Sequence, residues 1–242
     1  MAILETRGLV KRFGGLVAVN GVSLTVEKGE IFGLLGPNGA GKTVFLSCIA
    51  GALRPDAGRV VLEGTDTTEW SPERKCHAGL SRTFQIPQPF PRLSVLENVL
   101  IAAQFGAPAV LRRNPLALAR ECLASVEFLR QEDVPASSLN TVELKRLDLA
   151  RALASKPRLL LLDELAAGLM TGQLDPLMSI IRRIRESGVT ILMVEHIMPT
   201  ILGLCDRVAV LHYGEKIAEG QTQDVARDPK VVEAYLGERR VG

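Results

Sequence analysis

The chain has 242 residues, with 29 Lys and Arg against 27 Asp and Glu, a formal net charge of +2, and an aromatic content of 4%. Such balanced charge and few aromatics argue against a basic, base-stacking surface, so we expect no nucleic-acid partner. The four cysteines stand far apart without a Cys-x-x-Cys pair, which predicts reduced thiols of a cytoplasmic protein. The sequence shows neither a signal peptide nor an apolar run of about 20 residues, so we expect another chain to supply any membrane-spanning part.

Residues 36–43 form the most informative stretch, Gly-Pro-Asn-Gly-Ala-Gly-Lys-Thr, between apolar runs at 31–35 and 44–50. A strand, a glycine-rich loop and a helix opening with Lys-Thr predict a phosphate-binding loop, whose backbone N–H groups surround a phosphate chain. Lys42 is predicted to reach the β- and γ-phosphates, and the Thr43 hydroxyl to ligate Mg²⁺. The residues predicted to contact the nucleotide here are Gly36, Asn38, Gly39, Ala40, Gly41, Lys42, Thr43 and Val44. A glycine-rich turn without a ligand is the alternative, and the filled motif favours a nucleoside triphosphate.

The chain before this phosphate loop alternates apolar and polar residues over 3–27, the pattern of a strand with one solvated face. Within it, Asn20-Gly21 is either a hairpin turn or part of the continuing strand, and the unbroken alternation favours the strand. Phe13 stands beside two glycines, where packing under a turn is the simplest interpretation. Residues 58–63 predict a further strand.

Prolines separate two kinds of structure after this strand. Residues 72–78 predict a short helix, whereas residues 86–91, Ile-Pro-Gln-Pro-Phe-Pro, contain three prolines, which exclude a helix or a central strand. We therefore expect residues 86–91, here named the connector, to be exposed. The pattern then becomes helical, with a break at 105–116, and predicts an α-helical sub-lobe over approximately residues 92–155.

Four leucines at 159–162 predict a strand buried on both faces, as in a parallel sheet, and the pair Asp163-Glu164 follows at its carboxyl end. Open α/β sheets bind ligands at that end. Asp163 could hold the Mg²⁺ of the phosphate loop, and Glu164 could orient or deprotonate an attacking water. A strand that merely ends in acidic residues is the alternative, and the phosphate loop makes it the weaker one.

The last third of the chain continues the alternation of helices and buried strands. Asp175-Pro176 predicts the start of a helix that runs to residue 187. A buried strand at 189–194 precedes His196, which could reach a γ-phosphate or be structural. A strand hairpin over 207–219 and two short helices, at 222–227 and 229–236, complete the prediction.

The residues quoted so far resemble the ATP-binding subunits of ABC transporters along nearly the whole chain. More narrowly, the chain is similar to those of branched-chain amino acid importers, which end like residues 231–238, Val-Val-Glu-Ala-Tyr-Leu-Gly-Glu. The predicted fold is an α/β P-loop NTPase core with a mostly parallel sheet, an N-terminal antiparallel β sub-lobe and an inserted α-helical sub-lobe, in a single domain over 1–242. The resemblance implies an ATPase that uses ATP and Mg²⁺ at the cytoplasmic face of the plasma membrane and powers import of a small organic solute.

The resemblance also implies roles for individual residues. Phe13 matches the aromatic residue that stacks on adenine, and Gln85 matches the glutamine that senses Mg²⁺ and water. Glu164 matches the catalytic glutamate, and His196 matches the switch histidine. The connector lies where such subunits meet their permeases, which work with a solute-binding protein outside the membrane.

One motif departs from the family pattern. The family's signature, Leu-Ser-Gly-Gly-Gln, is replaced by Leu-Asn-Thr-Val-Glu at 139–143, here named the signature segment. Thr141 and Val142 carry branched side chains where glycine backbone approaches the γ-phosphate on the opposite subunit, and Glu143 adds a carboxylate there. Asn140 and Glu143 instead predict a capping box for the following helix. Since the phosphate loop is intact, we expect a heterodimer with a second ABC ATPase that carries an intact signature.

Smaller departures accompany this one. Leu165 replaces the proline that usually follows the catalytic glutamate, Met170 stands where the family has Asp or Asn, and Val44 replaces a second hydroxyl residue after Thr43. The alternatives to an importer subunit are the ATPase of a lipopolysaccharide-type exporter, a weakly hydrolysing regulatory subunit, and a soluble ABC ATPase of translation or DNA repair.

Overall fold

The computed structural model describes residues 1–106, 114–196 and 198–237. The chain divides into two compact units, one formed by Met1–Pro72 with Thr190–Gly242 and the other by Glu73–Val189. The predicted helical sub-lobe at 92–155 falls inside the second unit. That the whole chain acts as one domain stays a prediction.

Strands and helices are numbered along the chain. The strands are β1 (Ala2–Phe13), β2 (Leu16–Glu27), β3 (Ile31–Leu35), β4 (Ala57–Leu62), β5 (Thr65–Asp66), β6 (Leu80–Arg82), β7 (Leu159–Asp163), β8 (Thr190–Val194), β9 (Arg207–His212) and β10 (Glu215–Gln221). The helices are α1 (Lys42–Ala50), α2 (Pro72–His77), α3 (Val95–Phe105), α4 (Pro115–Ser125), α5 (Thr141–Ala154), α6 (Thr171–Glu186), α7 (Met198–Leu204), α8 (Thr222–Val225) and α9 (Pro229–Gly237).

An antiparallel sheet with strand order β2-β1-β4-β5 forms part of the first unit. The alternation over residues 3–27 is a hairpin, because Gly14 and Gly15 form the turn between β1 and β2. The hairpin-turn interpretation of Asn20-Gly21 is therefore wrong, and the strand interpretation is right. Gly21 lies inside β2 at a register shift, with φ 66°, because the bulge there needs a left-handed residue.

The rest of the first unit is built on strands that are mostly parallel. β3 pairs in parallel with both β8 and β9, and β9 turns back into the antiparallel β10. Every residue of β3 and β8 is buried, which explains why their sequences show no polar alternation. The carboxyl end of β3 leads into the phosphate loop, and that of β8 leads to Glu195 and His196.

The second unit combines the parallel pair β6 and β7 with packed helices α3, α4 and α5. The three helices contact one another, and each buries apolar residues such as Val99, Leu118 and Leu147. The predicted break at 105–116 lies partly outside the described residues. On its flanks α3 ends at Phe105 and α4 begins after Asn114, whose side chain accepts the N–H of Leu116 at 3.0 Å.

One predicted helix start is wrong. Helix α6 begins at Thr171 and contains Pro176 in its second turn, instead of starting there. The side chain of Gln173 accepts the backbone N–H of Met170 at 2.9 Å and caps the earlier start, while proline removes only one backbone hydrogen bond. Within the three described ranges, no helix has the length and hydropathy that crossing a bilayer requires.

Candidate nucleotide site

The phosphate loop joins β3 to α1 in the first unit, as predicted. Lys42 is only 4% exposed, and its ammonium donates to the carbonyl oxygens of Gly36 and Pro37 at 2.6 and 2.9 Å. The cation therefore lies inside the curve of the loop, where a phosphate oxygen would meet it. Thr43, the next residue, is exposed and can offer its hydroxyl to a ligand.

Two glycines of the loop are required by close packing. A Cβ at Gly36 would lie 2.2 Å from the carbonyl oxygen of Leu211, and a Cβ at Gly41 would lie 2.1 Å from that of Ala18. Gly39 differs, because its Cβ would meet nothing within 4 Å. Strands β9 and β2 thus approach the loop backbone directly and hold it in place.

Phe13 and His196 also belong to the first unit. Phe13 ends β1 with 46% of its surface exposed, and the ammonium of Lys11 lies 5.6 Å from its ring centroid. The exposed ring face suits stacking on a base. His196 is exposed and lies two residues after the end of β8.

The carboxylate at the end of β7 has one occupied and one open oxygen. Arg82 donates from Nη2 to Oδ2 of Asp163 at 2.7 Å, and Asp163 is 1% exposed. Within the part of the chain that the structure describes, Oδ1 of Asp163 has no hydrogen-bond partner. A buried carboxylate oxygen without a donor fits a cation ligand, so the residues present are compatible with Mg²⁺.

Glu164 follows in a backbone conformation that side chains rarely adopt. Its φ is 46°, and such a residue costs about 1–3 kcal/mol and persists only where its surroundings hold it. Gln85 donates from Nε2 to Oε2 of Glu164 at 2.7 Å, so the structure brings these two predicted residues together. Lys145 donates to the backbone carbonyl of Glu164 at 3.4 Å.

Sequence reasoning missed Arg82 and Lys145. The parallel register places Arg82 opposite Leu161, two residues before Asp163, so correct pairing of β6 with β7 would have found it. Nothing in the spacing of residues along the sequence indicates that Lys145 contacts the carbonyl of Glu164.

The capping box predicted in the signature segment is present. The N–H of Glu143 donates to Oδ1 of Asn140 at 3.0 Å, and the N–H of Asn140 donates to Oε2 of Glu143 at 2.9 Å. Arg130 lies 3.2 Å from the same Oε2 and also donates to the Ser138 carbonyl at 2.9 Å. The Glu143 carboxylate is therefore turned back onto its own helix and paired with a cation.

The connector has no helix or strand, as predicted. Ile86 and Phe90 are 71% and 46% exposed, so Ile86 presents more apolar surface than Phe90. The side chain of Asn98 holds the backbone of Phe90, since it accepts the N–H at 2.8 Å and donates to the carbonyl at 3.1 Å.

Comparison with known proteins decides the family. The model of the ABC transporter family matches residues 19–167. The chain belongs to the ABC transporter family. It is thus an ABC ATP-binding cassette, the ATPase subunit of such transporters, which works with transmembrane permease subunits. A second model, described as branched-chain amino acid ATP-binding cassette transporter, matches residues 215–241.

Individual relatives resemble this cassette over nearly all of their length. The probable branched-chain amino acid transport ATP-binding protein LivG of Archaeoglobus fulgidus is 37% identical over 98% of this chain and 96% of its own. The high-affinity branched-chain amino acid transport ATP-binding protein BraF of Pseudomonas aeruginosa is 36% identical over 98% of both chains. A crystal structure of an ABC transporter cassette in its ADP conformation superposes with a TM-score of 0.88 at 34% identity, covering 98% of this chain and 99% of that one.

Proposed function

We propose that this cassette hydrolyses ATP to power an importer of branched-chain or related amino acids, from the cytoplasmic face of the plasma membrane. The observation that carries the proposal is the match of residues 215–241, outside the ATPase motifs, to the branched-chain amino acid group. The likeness to two proteins named as branched-chain amino acid transport ATP-binding proteins, over 98% of the chain, supports it.

The residues have these roles in the proposal. Phe13 stacks on adenine, and the phosphate loop from Gly36 to Val44 binds the phosphates with Lys42 as the cation. Thr43, Gln85 and the open oxygen of Asp163 would hold Mg²⁺, which when bound neutralises charge on the phosphate oxygens.

The water-activating step falls to Glu164. Its carboxylate orients the attacking water and accepts a proton from it, while Gln85 fixes the carboxylate through the 2.7 Å hydrogen bond. His196 contacts the γ-phosphate. All these residues act within one cassette that spans the whole chain.

We further propose that the cassette works beside a second ABC ATPase with an intact signature. Thr141 and Val142 present branched side chains, and Asn140 and Glu143 use their polar groups on each other. The backbone of the signature segment therefore cannot closely approach the γ-phosphate of ATP bound on the opposite subunit. The connector docks on the permease, and an extracellular or periplasmic binding protein delivers the solute.

Transport by the assembled complex tests this function. The cassette, its partner ATPase and the permease subunits are reconstituted in vesicles with the binding protein, and uptake of labelled leucine, isoleucine and valine is measured. We expect ATP-dependent uptake of at least one of the three. ATP-dependent uptake of none of them, by a complex that still hydrolyses ATP, would contradict the solute assignment.

A further inference from the structure

Helix α5, which begins at the signature segment, carries three polar residues at intervals of three: Lys145, Asp148 and Arg151. Residues three apart lie near one another on a helix surface, so the three form a row. Lys145 and Asp148 are 3% and 5% exposed. Lys145 contacts backbone that follows β7, and Asp148 and Arg151 contact backbone that follows β6.

Asp148 holds the chain just after β6. Its Oδ2 accepts the backbone N–H of Phe84 at 3.0 Å, and its Oδ1 lies 3.6 Å from Nη1 of Arg151. Burial raises the pKa of the Asp148 carboxyl, while the Phe84 N–H and the charges of Arg151 and Lys145 oppose that rise. A hydrogen bond to a carboxylate is stronger away from water, so this contact fixes position 84 firmly.

Arg151 holds the connector itself. Its Nη1 donates to the carbonyl oxygen of Gln88 at 2.7 Å. Its guanidinium carbon lies 5.5 Å from the ring centroid of Phe90, within the range of a cation–π contact. One arginine therefore fixes the backbone of the connector and stacks on its aromatic residue.

The two anchors lie on both sides of Gln85. Phe84 is bound to Asp148, Gln88 is bound to Arg151, and the Gln85 amide between them reaches the carboxylate of Glu164. Lys145 contacts the carbonyl of Glu164 at 3.4 Å from the same row.

We infer that Asp148 and Arg151 are positioning residues that fix the backbone on both sides of Gln85 and link the connector to the helix of the signature segment. Movement of the connector by a permease is thereby transmitted to α5. A change in the position of the signature segment is transmitted in the other direction, to Gln85. The consequence for hydrolysis rests on the roles proposed above for Gln85 and Glu164, whereas the anchoring does not.

Hydrogen exchange on the full chain tests the anchoring without nucleotide. In Asp148→Ala we expect the Phe84 amide to exchange about tenfold faster, because its buried acceptor is lost. Asp148→Asn keeps the shape of the side chain and a neutral acceptor. Its Phe84 amide should therefore exchange at a rate between those of the parent and Asp148→Ala, and this variant remains informative even if the alanine variant folds poorly. The matched control is Arg120→Ala, a change on α4 that breaks an ion pair with Glu132. It should leave the exchange rate of the Phe84 amide unchanged. Parental exchange at Phe84 in both Asp148 variants overturns the inference.

The reconstituted complex tests the link to hydrolysis. Arg151→Ala should lower the kcat of permease-stimulated ATP hydrolysis about tenfold and leave KM for ATP within about twofold, because the phosphate loop belongs to the other unit. Arg151→Lys keeps the charge without the planar fork and should recover part of kcat. If Arg120→Ala lowers kcat equally, the effect is general destabilisation and the positioning role is refuted. The exchange result stands even if the parent complex proves to hydrolyse no ATP.

Discussion

Nε2 of Gln85 donates a hydrogen bond to Oε2 of Glu164 over 2.7 Å, although the two residues are separated by 79 positions in the sequence. This hydrogen bond orients the carboxylate, and the backbone of Glu164 that carries it is held in a strained conformation, with φ 46°. A base with a fixed direction is what activation of a water molecule requires.

Replacing Glu164 with glutamine removes the base and keeps the size of the side chain. We expect Glu164→Gln to bind ATP with parental affinity while turnover falls by ~10² or more, measured by phosphate release. Glu121→Gln, an exposed carboxylate on α4, is the control and should leave turnover unchanged. If Glu164→Gln hydrolyses ATP at the parental rate, Glu164 is not the catalytic base.

The ammonium of Lys42 should contribute to ATP affinity. Lys42→Ala removes the cation from the loop, and binding measured by calorimetry should weaken at least tenfold, about 1.4 kcal/mol. Lys156→Ala deletes a lysine whose side chain is 37% exposed and serves as the control. Equal affinities of the parent and Lys42→Ala would refute the phosphate-loop assignment.

The packing of the loop predicts unequal effects of two glycine substitutions. Gly39 and Gly41 both have positive φ, so alanine brings similar strain at either position. Only at Gly41 would the Cβ clash, 2.1 Å from the Ala18 carbonyl oxygen. We expect Gly41→Ala to lower Tm clearly more than Gly39→Ala in thermal melts, and equal shifts would contradict the packing account.

Restoring the signature should speed hydrolysis by the chain alone. The parent should be slow by itself and faster when mixed with a cassette that carries Leu-Ser-Gly-Gly-Gln. Changing residues 140–143 to Ser-Gly-Gly-Gln should raise turnover of the homodimer, because it removes two branched side chains from the surface that faces the γ-phosphate. Ser and Gln can still form a capping box, so the cost is limited to the two glycines, up to about 1 kcal/mol each.

A single substitution separates capping from the phosphate contact. Asn140→Ser keeps a capping residue and leaves Thr141 and Val142 in place, so it should hydrolyse ATP no faster than the parent. If the unaltered chain alone is as active as the mixed pair, the proposed heterodimer is wrong.

The connector prediction is tested most cleanly at Ile86. Ile86 is 71% exposed, whereas the Phe90 ring also packs against Arg151, so a change at Phe90 alters two contacts. Ile86→Asp should abolish most transport in vesicles while ATP affinity of the isolated chain stays parental. Leu202→Asp, an exposed apolar residue on α7, is the control. Unimpaired transport by Ile86→Asp would argue against docking through the connector.

Local patterns predicted much of this molecule because their causes are local. The phosphate loop, the buried strand before Asp163 and the capping box of Asn140 with Glu143 depend on neighbouring residues, and all three are present. Contacts between segments that are distant in the sequence could not be predicted from local patterns. Arg82 meets Asp163 only because β6 pairs with β7, and Arg130 meets Glu143 across 13 positions of the sequence.

The pairing of Glu143 with its own helix start and with Arg130 also bears on how this chain can evolve. A lineage that acquires glycine at position 141 or 142 by single steps weakens the start of α5 while the other branched side chain remains. Changing position 143 first leaves Arg130 without its ionic partner. Changes at positions 141, 142 and 143 toward the family signature therefore each begin with a small loss of stability, and only the change at position 140 avoids it.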